Sequence, residues 1–99
     1  MRPIHVAHLD KARPVLLLTR AIVRPHLDTV TVAPITGTIR GLSTEVPVGA
    51  ANGLDKPSVV ACDHVTTIPK DAIGVRIGLL LDEQERALSE AIHAAFDLD

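Results

Sequence analysis

Thr36, Thr38 and Arg40 are spaced two apart in the stretch Thr29 to Gly41, read as TVTVAPITGTIRG, with Gly37 between the two hydroxyls. Hydroxyl donors, a guanidinium and bare glycine backbone on one rim are suitable for holding a phosphate. The plainer reading is an ordinary β-turn with a solvated arginine. Arg20, Arg24 and Lys56 are further candidate contacts to a phosphate backbone, and each also reads as a solvated charge. His5 and His8 resemble a metal pair only on paper. Three-residue spacing on a strand sends them to opposite faces, and no metal or other cofactor is expected. Asp63 and His64 suggest a dyad, but neighbours on a strand also point apart. Cys62 reads as a small buried residue rather than a nucleophile.

These side chains need strands to carry them. Ile4 to Leu9 reads as a first strand, and the apolar run Pro14 to Thr19, PVLLLT, as a buried central one. Arg20 to Asp28 is interrupted by Pro25 and forms at most one helical turn. Thr29 to Ile35 alternates as a strand until Pro34, which has no N–H for a ladder. Pro47 marks Thr44 to Val48 as an edge strand. GAANGLDKP, residues 49–57, is a loop. Ser58 to Cys62 and Val65 to Ile68 read as strands. From Ile73 to Leu81 the apolar positions alternate, with Gly74 and Gly78 on the other face. Asp82 is placed to cap a final helix, with Glu85 completing a capping-box pattern. Leu88, Ala91, Ile92, Ala95 and Phe96 form its apolar stripe, and Arg86 is spaced to pair with Asp82 and Glu90. Six or seven short strands and one terminal helix imply a mainly β fold, a small curled barrel.

Ninety-nine residues are read as one domain, 1–99, with an aliphatic core: apolar residues are 46% and aromatics 1%. So few rings argue against a binder that stacks bases on exposed aromatics. A single cysteine rules out an internal disulfide and fits a reducing compartment. No stretch approaches the ~20 apolar residues of a membrane span, and no signal peptide is read at the N-terminus, so a cytoplasmic protein is expected. The net charge of −2 is unevenly spread. Residues 1–81 hold nine Lys/Arg against six Asp/Glu, and residues 82–99 hold one against six. A basic body carries an acidic tail helix.

Four blocks, in order, resemble the MazF/PemK-like toxins of type II toxin–antitoxin pairs. They are RPVLLLT (residues 13–19), TVTVAPITGTIRGL (29–42), NGLDKPSVVACDHVTTIPK (52–70) and IGLLLDEQERALSEAI (77–92). The resemblance implies an SH3-like β-barrel with a C-terminal helix, working as a homodimer. It implies a metal-independent endoribonuclease (an mRNA interferase) that cuts single-stranded RNA and is inhibited by a cognate MazE-type antitoxin. Arg13 then matches the family's catalytic arginine, Thr36 its active-site threonine, and Asp63 an aspartate used as a base in the Kid branch. That branch has an arginine where this chain has Ala61, so a Kid-like acid/base pair is missing. The customary RGD/RGE-plus-tryptophan start is reduced to Arg2-Pro3-Ile4-His5, and the link before Arg13 is only a few residues long.

Such cleavage uses the RNA's 2′-OH as nucleophile. On this reading Arg13 stabilises charge at phosphorus with a planar fork, Thr36 donates its hydroxyl, and Asp63 or His64 handles protons. Arg20, Thr38, Arg40, Lys56 and His64 are the candidate RNA contacts. A salt bridge from Arg13 to Asp10 or Asp63 is the competing structural role. Two rivals keep the barrel and drop the chemistry: a CcdB-like gyrase poison and an inactive paralogue that only binds antitoxin. The Arg13 and Thr36 pair favours the nuclease.

Overall fold

In the computed structural model, which describes residues 2–98, seven strands curl into one sheet and a single long helix packs against it. The strands are β1 (Pro3–His8), β2 (Ala12–Leu17), β3 (Thr29–Thr36), β4 (Glu45–Val48), β5 (Ser58–Ala61), β6 (Thr66–Pro69) and β7 (Ile73–Leu79). Helix α1 spans Asp82–Ala95. The order β4-β5-β3-β2-β1-β7 is antiparallel throughout, and β6 pairs with β3 off this path. The radius of gyration is 12.6 Å, close to the ~13 Å of a compact 100-residue domain.

β3 organises the sheet. On one edge it pairs with β6 over residues 29–32, then with β5 at Ile35 and Thr36; on the other it pairs with β2. Pro34 does not end the strand, as the sequence suggests. It falls where the neighbour changes from β6 to β5, a gap in the ladder where a missing N–H costs little. Alternation along β3 feeds two cores. Ala33 and Ile35 join Leu16, Val46, Val60, Leu80, Leu88 and Ala91 beneath α1. Val30 and Val32 join Val15, Leu17, Ala7 and Ile68 on the opposite face.

β2 starts earlier than expected, at Ala12, because its hairpin pairing with β1 extends to His8↔Ala12, so Arg13 lies on a strand. β7 does not alternate cleanly. Two irregularities in its pairing with β1 put extra residues on the β7 side, and each reverses which face follows. Ile73 therefore packs with the second core, Ile77 with the first, and Val75 is exposed.

Helix α1 is capped one residue earlier than its acidic start suggests. Leu81 is the N-cap, and its N–H donates to Gln84 Oε1 at 2.9 Å. Asp82, Glu83 and Glu85 lie in the first turn, at the positive end of the helix dipole. Gln84 also hydrogen-bonds buried Asn52, whose Nδ2 donates to Gln84 Oε1 and the Leu79 carbonyl. Asn52 Oδ1 accepts from the Gly49 N–H and from Gln84 Nε2. Within the stretch read as a loop, Asn52 thus forms a buried polar clasp between residues 49–53, β7 and α1. Beside it the backbones nearly touch: a Cβ on Gly53, whose φ is +84°, would lie 1.9 Å from the Ile77 carbonyl oxygen. Of the expected apolar stripe, Leu88 and Ala91 are buried and Phe96 is exposed past the helix end. Among the described residues Arg86 pairs with neither Asp82 nor Glu90; the helix's ion pair is Glu85 with Arg2, at 3.2 Å.

Candidate functional site

The loop leaving β3 is folded by its own side chains. Thr36 Oγ1 accepts from the Thr38 N–H at 3.1 Å, an arrangement that leaves the Thr36 O–H proton for a ligand. The Glu45 carboxylate accepts from the Arg40 and Leu42 N–H groups, each at 3.1 Å, and gathers residues 40–42 against the start of β4. Thr36, Thr38 and Arg40 consequently line one cavity of about 280 Å³, together with Pro34, Glu45, Asp63 and His64.

Asp63 and His64 share that cavity, contrary to the strand expectation. β5 ends at Ala61, and residues 62–64 form a 3-10 turn rather than extended chain, which brings both exposed side chains to one side. The Thr44 hydroxyl donates to Asp63 Oδ2 at 2.5 Å and fixes the carboxylate. Cys62 is wholly buried beneath them. Burial, with the Asp63 charge adding to it, pushes its thiol up to about 11, which makes it inert at neutral pH.

Arg13 lines a neighbouring cavity of about 410 Å³, with Lys56, Asp55, Ser58 and an apolar floor of Val6, Pro14, Leu54 and Ile77. It is half-exposed and lies 3.7 Å from Asp10, a loose ion pair; Asp63 is not its partner. β2 pairs with β3 from Val15↔Pro34 to Leu17↔Val32, so Arg13 and Thr36 lie on neighbouring strands, each two residues beyond the end of that ladder, and line separate cavities.

Lys56 lines the Arg13 cavity and reaches the loop after β3. Its side chain crosses the bare backbone of Gly37, so that a Cβ there would meet Cε at 2.7 Å and Nζ at 3.0 Å. The contact between the residue 56 loop and Gly37 has no sequence signal beyond the glycine itself. Glu45 and Thr44, which shape the site, were also missed, since their roles depend on a loop folding back. Arg20 is exposed and lines neither cavity. Arg24 lies elsewhere, beside Lys70 and His5 in a separate cavity of about 490 Å³ over the second core. His5 Nδ1 is engaged 2.9 Å from the Gly74 carbonyl, and His8 is exposed. Among the described residues no three His, Cys, Asp or Glu side chains gather as metal ligands, and no helix is long and apolar enough to cross a membrane.

Residues 3–96 match the family described as PemK-like, MazF-like toxin of type II toxin-antitoxin system. The chain belongs to that family. It is 69% identical over 99 residues to a Mycobacterium tuberculosis protein named endoribonuclease MazF3, covering all of this chain and 96% of that one. A solved structure titled Mycobacterium tuberculosis toxin MazF-mt6 superposes with a TM-score of 0.96 at 68% identity, covering 99% of each chain. A mycobacterial endoribonuclease solved in complex with its cognate antitoxin shares the fold, with a TM-score of 0.87 at 23% identity over 98% of this chain and 93% of that one. The MazF-type curled barrel with a C-terminal helix is therefore the fold of this toxin, as its four sequence blocks implied.

Proposed function

We propose that this toxin is an endoribonuclease that cuts single-stranded RNA without a metal ion, using the substrate's 2′-OH as nucleophile. The 69% identical relative is named an endoribonuclease. The observation that supports the site assignment is that Arg13 and Thr36 lie on the hydrogen-bonded neighbours β2 and β3. In this reading Arg13 spans two phosphate oxygens with its guanidinium and offsets the charge that builds on phosphorus. Thr36, held by the Thr38 N–H, donates its hydroxyl to the same phosphate. Asp63 takes the 2′-proton, and the Thr44 hydroxyl keeps its carboxylate in place. Thr38, Arg40 and His64 hold the strand along the first cavity, Lys56 along the second, and Arg20 holds flanking phosphates.

The working form is a cytoplasmic homodimer restrained by a cognate MazE-type antitoxin. A mycobacterial endoribonuclease of this fold has been solved with its cognate antitoxin. An acidic antitoxin segment would suit the Arg13, Arg40 and Lys56 rim. The test uses a short RNA with a single 2′-deoxyribose at the cut position. That substrate is expected to resist cleavage while the all-ribose control is cut, and efficient cutting of both would exclude 2′-OH attack.

A further inference from the structure

Displacement at phosphorus places the attacking and leaving oxygens roughly in line. A base and an acid that serve them must therefore stand on opposite flanks of the phosphate. The endoribonuclease reading, on which this inference rests, supplies a base in Asp63, with His64 beside it in the same cavity, but no acid on the far flank: an arginine holds its proton too tightly to pass it on at neutral pH. Asp63 follows the C-terminal end of β5 and opens into the Thr36 cavity. Lys56 precedes the N-terminal end of the same strand and opens into the Arg13 cavity. Four residues of extended strand, roughly 13 Å, hold the two ends apart. Thr36 pairs with Val59 between them.

Two local features aim Lys56. Pro57 follows it, and the Ser58 hydroxyl donates to its carbonyl at 3.1 Å, which together fix the turn into β5. The end of its side chain then lies over Gly37, where a Cβ would meet Cε at 2.7 Å and push the flexible lysine tip aside. The φ of Gly37 is not positive, so the backbone there does not require glycine, and the bare Cα is what lets Lys56 rest in this position. A lysine ammonium carries a proton at neutral pH and has three donors to offer.

We infer that Lys56 is the general acid of this toxin. The 2′-oxygen bonds to phosphorus as its proton passes to Asp63. The P–O5′ bond breaks, and the departing 5′-oxygen takes a proton from Lys56 Nζ. The products are a 2′,3′-cyclic phosphate and a free 5′-hydroxyl, and solvent returns the enzyme to its starting protonation state.

The experiment compares two RNAs, one ordinary and one with sulfur in place of the bridging 5′-oxygen at the cut, for the wild type, Lys56→Met and Lys56→Arg. A thiolate leaves without help from an acid. Lys56 is exposed, so its replacement leaves the core intact. On ordinary RNA Lys56→Met is expected to lower kcat by about 10²–10⁴-fold, the usual range for a general acid. On the sulfur-bridged RNA the loss should fall below about tenfold. Lys56→Arg, which keeps the charge, should behave as Lys56→Met does. Gly37→Ala should lower kcat in the same selective way by displacing the ammonium. Equal losses on both RNAs, a change in KM alone, or full rescue by arginine would each reduce Lys56 to a phosphate contact and overturn the inference. A wild-type toxin that cuts neither RNA would instead overturn the endoribonuclease reading itself.

Discussion

The clasp beside α1 and the rim around Thr36 are finished in opposite ways. Beneath α1, every polar atom of the Asn52–Gln84 clasp has a partner and the chain approaches itself closely enough to demand glycine at 53. At the rim, Arg13, Arg40, Lys56 and Asp63 are exposed, and their loops are held by single carboxylates and hydroxyls. Buried and fully paired polar groups secure one conformation, because leaving any of them unmade is costly. Charges left open to solvent contribute little to stability and remain free to meet a polyanion. Stability and activity should therefore separate cleanly by residue.

The largest break is expected at Gly53. Alanine there combines a positive φ with a contact of 1.9 Å to the Ile77 oxygen. The cost should exceed about 4 kcal/mol, leaving no cooperative urea transition by circular dichroism. Next is Arg13→Ala, with a loss of about 10²–10³-fold in RNA cleavage and an unfolding midpoint like that of the wild type. A lowered midpoint would mean that Arg13 belongs to the scaffold. Asn52→Ala strands the Gly49 N–H and the Leu79 carbonyl. It should lower unfolding free energy by about 1–3 kcal/mol, with cleavage per folded molecule unchanged.

The smallest effect is a pH dependence. The Cys62 thiol ionises near 9.0 when unfolded and about 11 in the fold. Between those values the unfolded chain gives up a proton that the native chain keeps, so stability should decline as pH rises through that window. Cys62→Ser, which cannot ionise there, should flatten the decline in urea titrations.

Much of this was readable from the chain. The alternation of Val30 and Val32, the PVLLLT run and the stripe of Leu88 and Ala91 located the strands, the helix and their buried faces. The resemblance singled out Arg13 and Thr36, which lie on the neighbouring strands β2 and β3. What stayed hidden depended on tertiary contact. The 3-10 turn that brings Asp63 and His64 together has the composition of a strand end. The irregular pairing of β7 is set by β1, not by its own residues. Gln84 displaced Glu85 from the cap because it also reaches Asn52. Lys56 meets Gly37 through a loop whose path no local pattern encodes.

The order in which β3 finds its neighbours bears on how the toxin comes into being. Its partner at Thr36 is β5, and the turn that presents Asp63 comes later still. A ribosome has therefore made well over half of these residues before the candidate rim has all its parts. Leu88 and Ala91, which seal the first core, arrive only in the last stretch. Neither the candidate rim nor the first core can therefore be assembled from the first half of the chain alone.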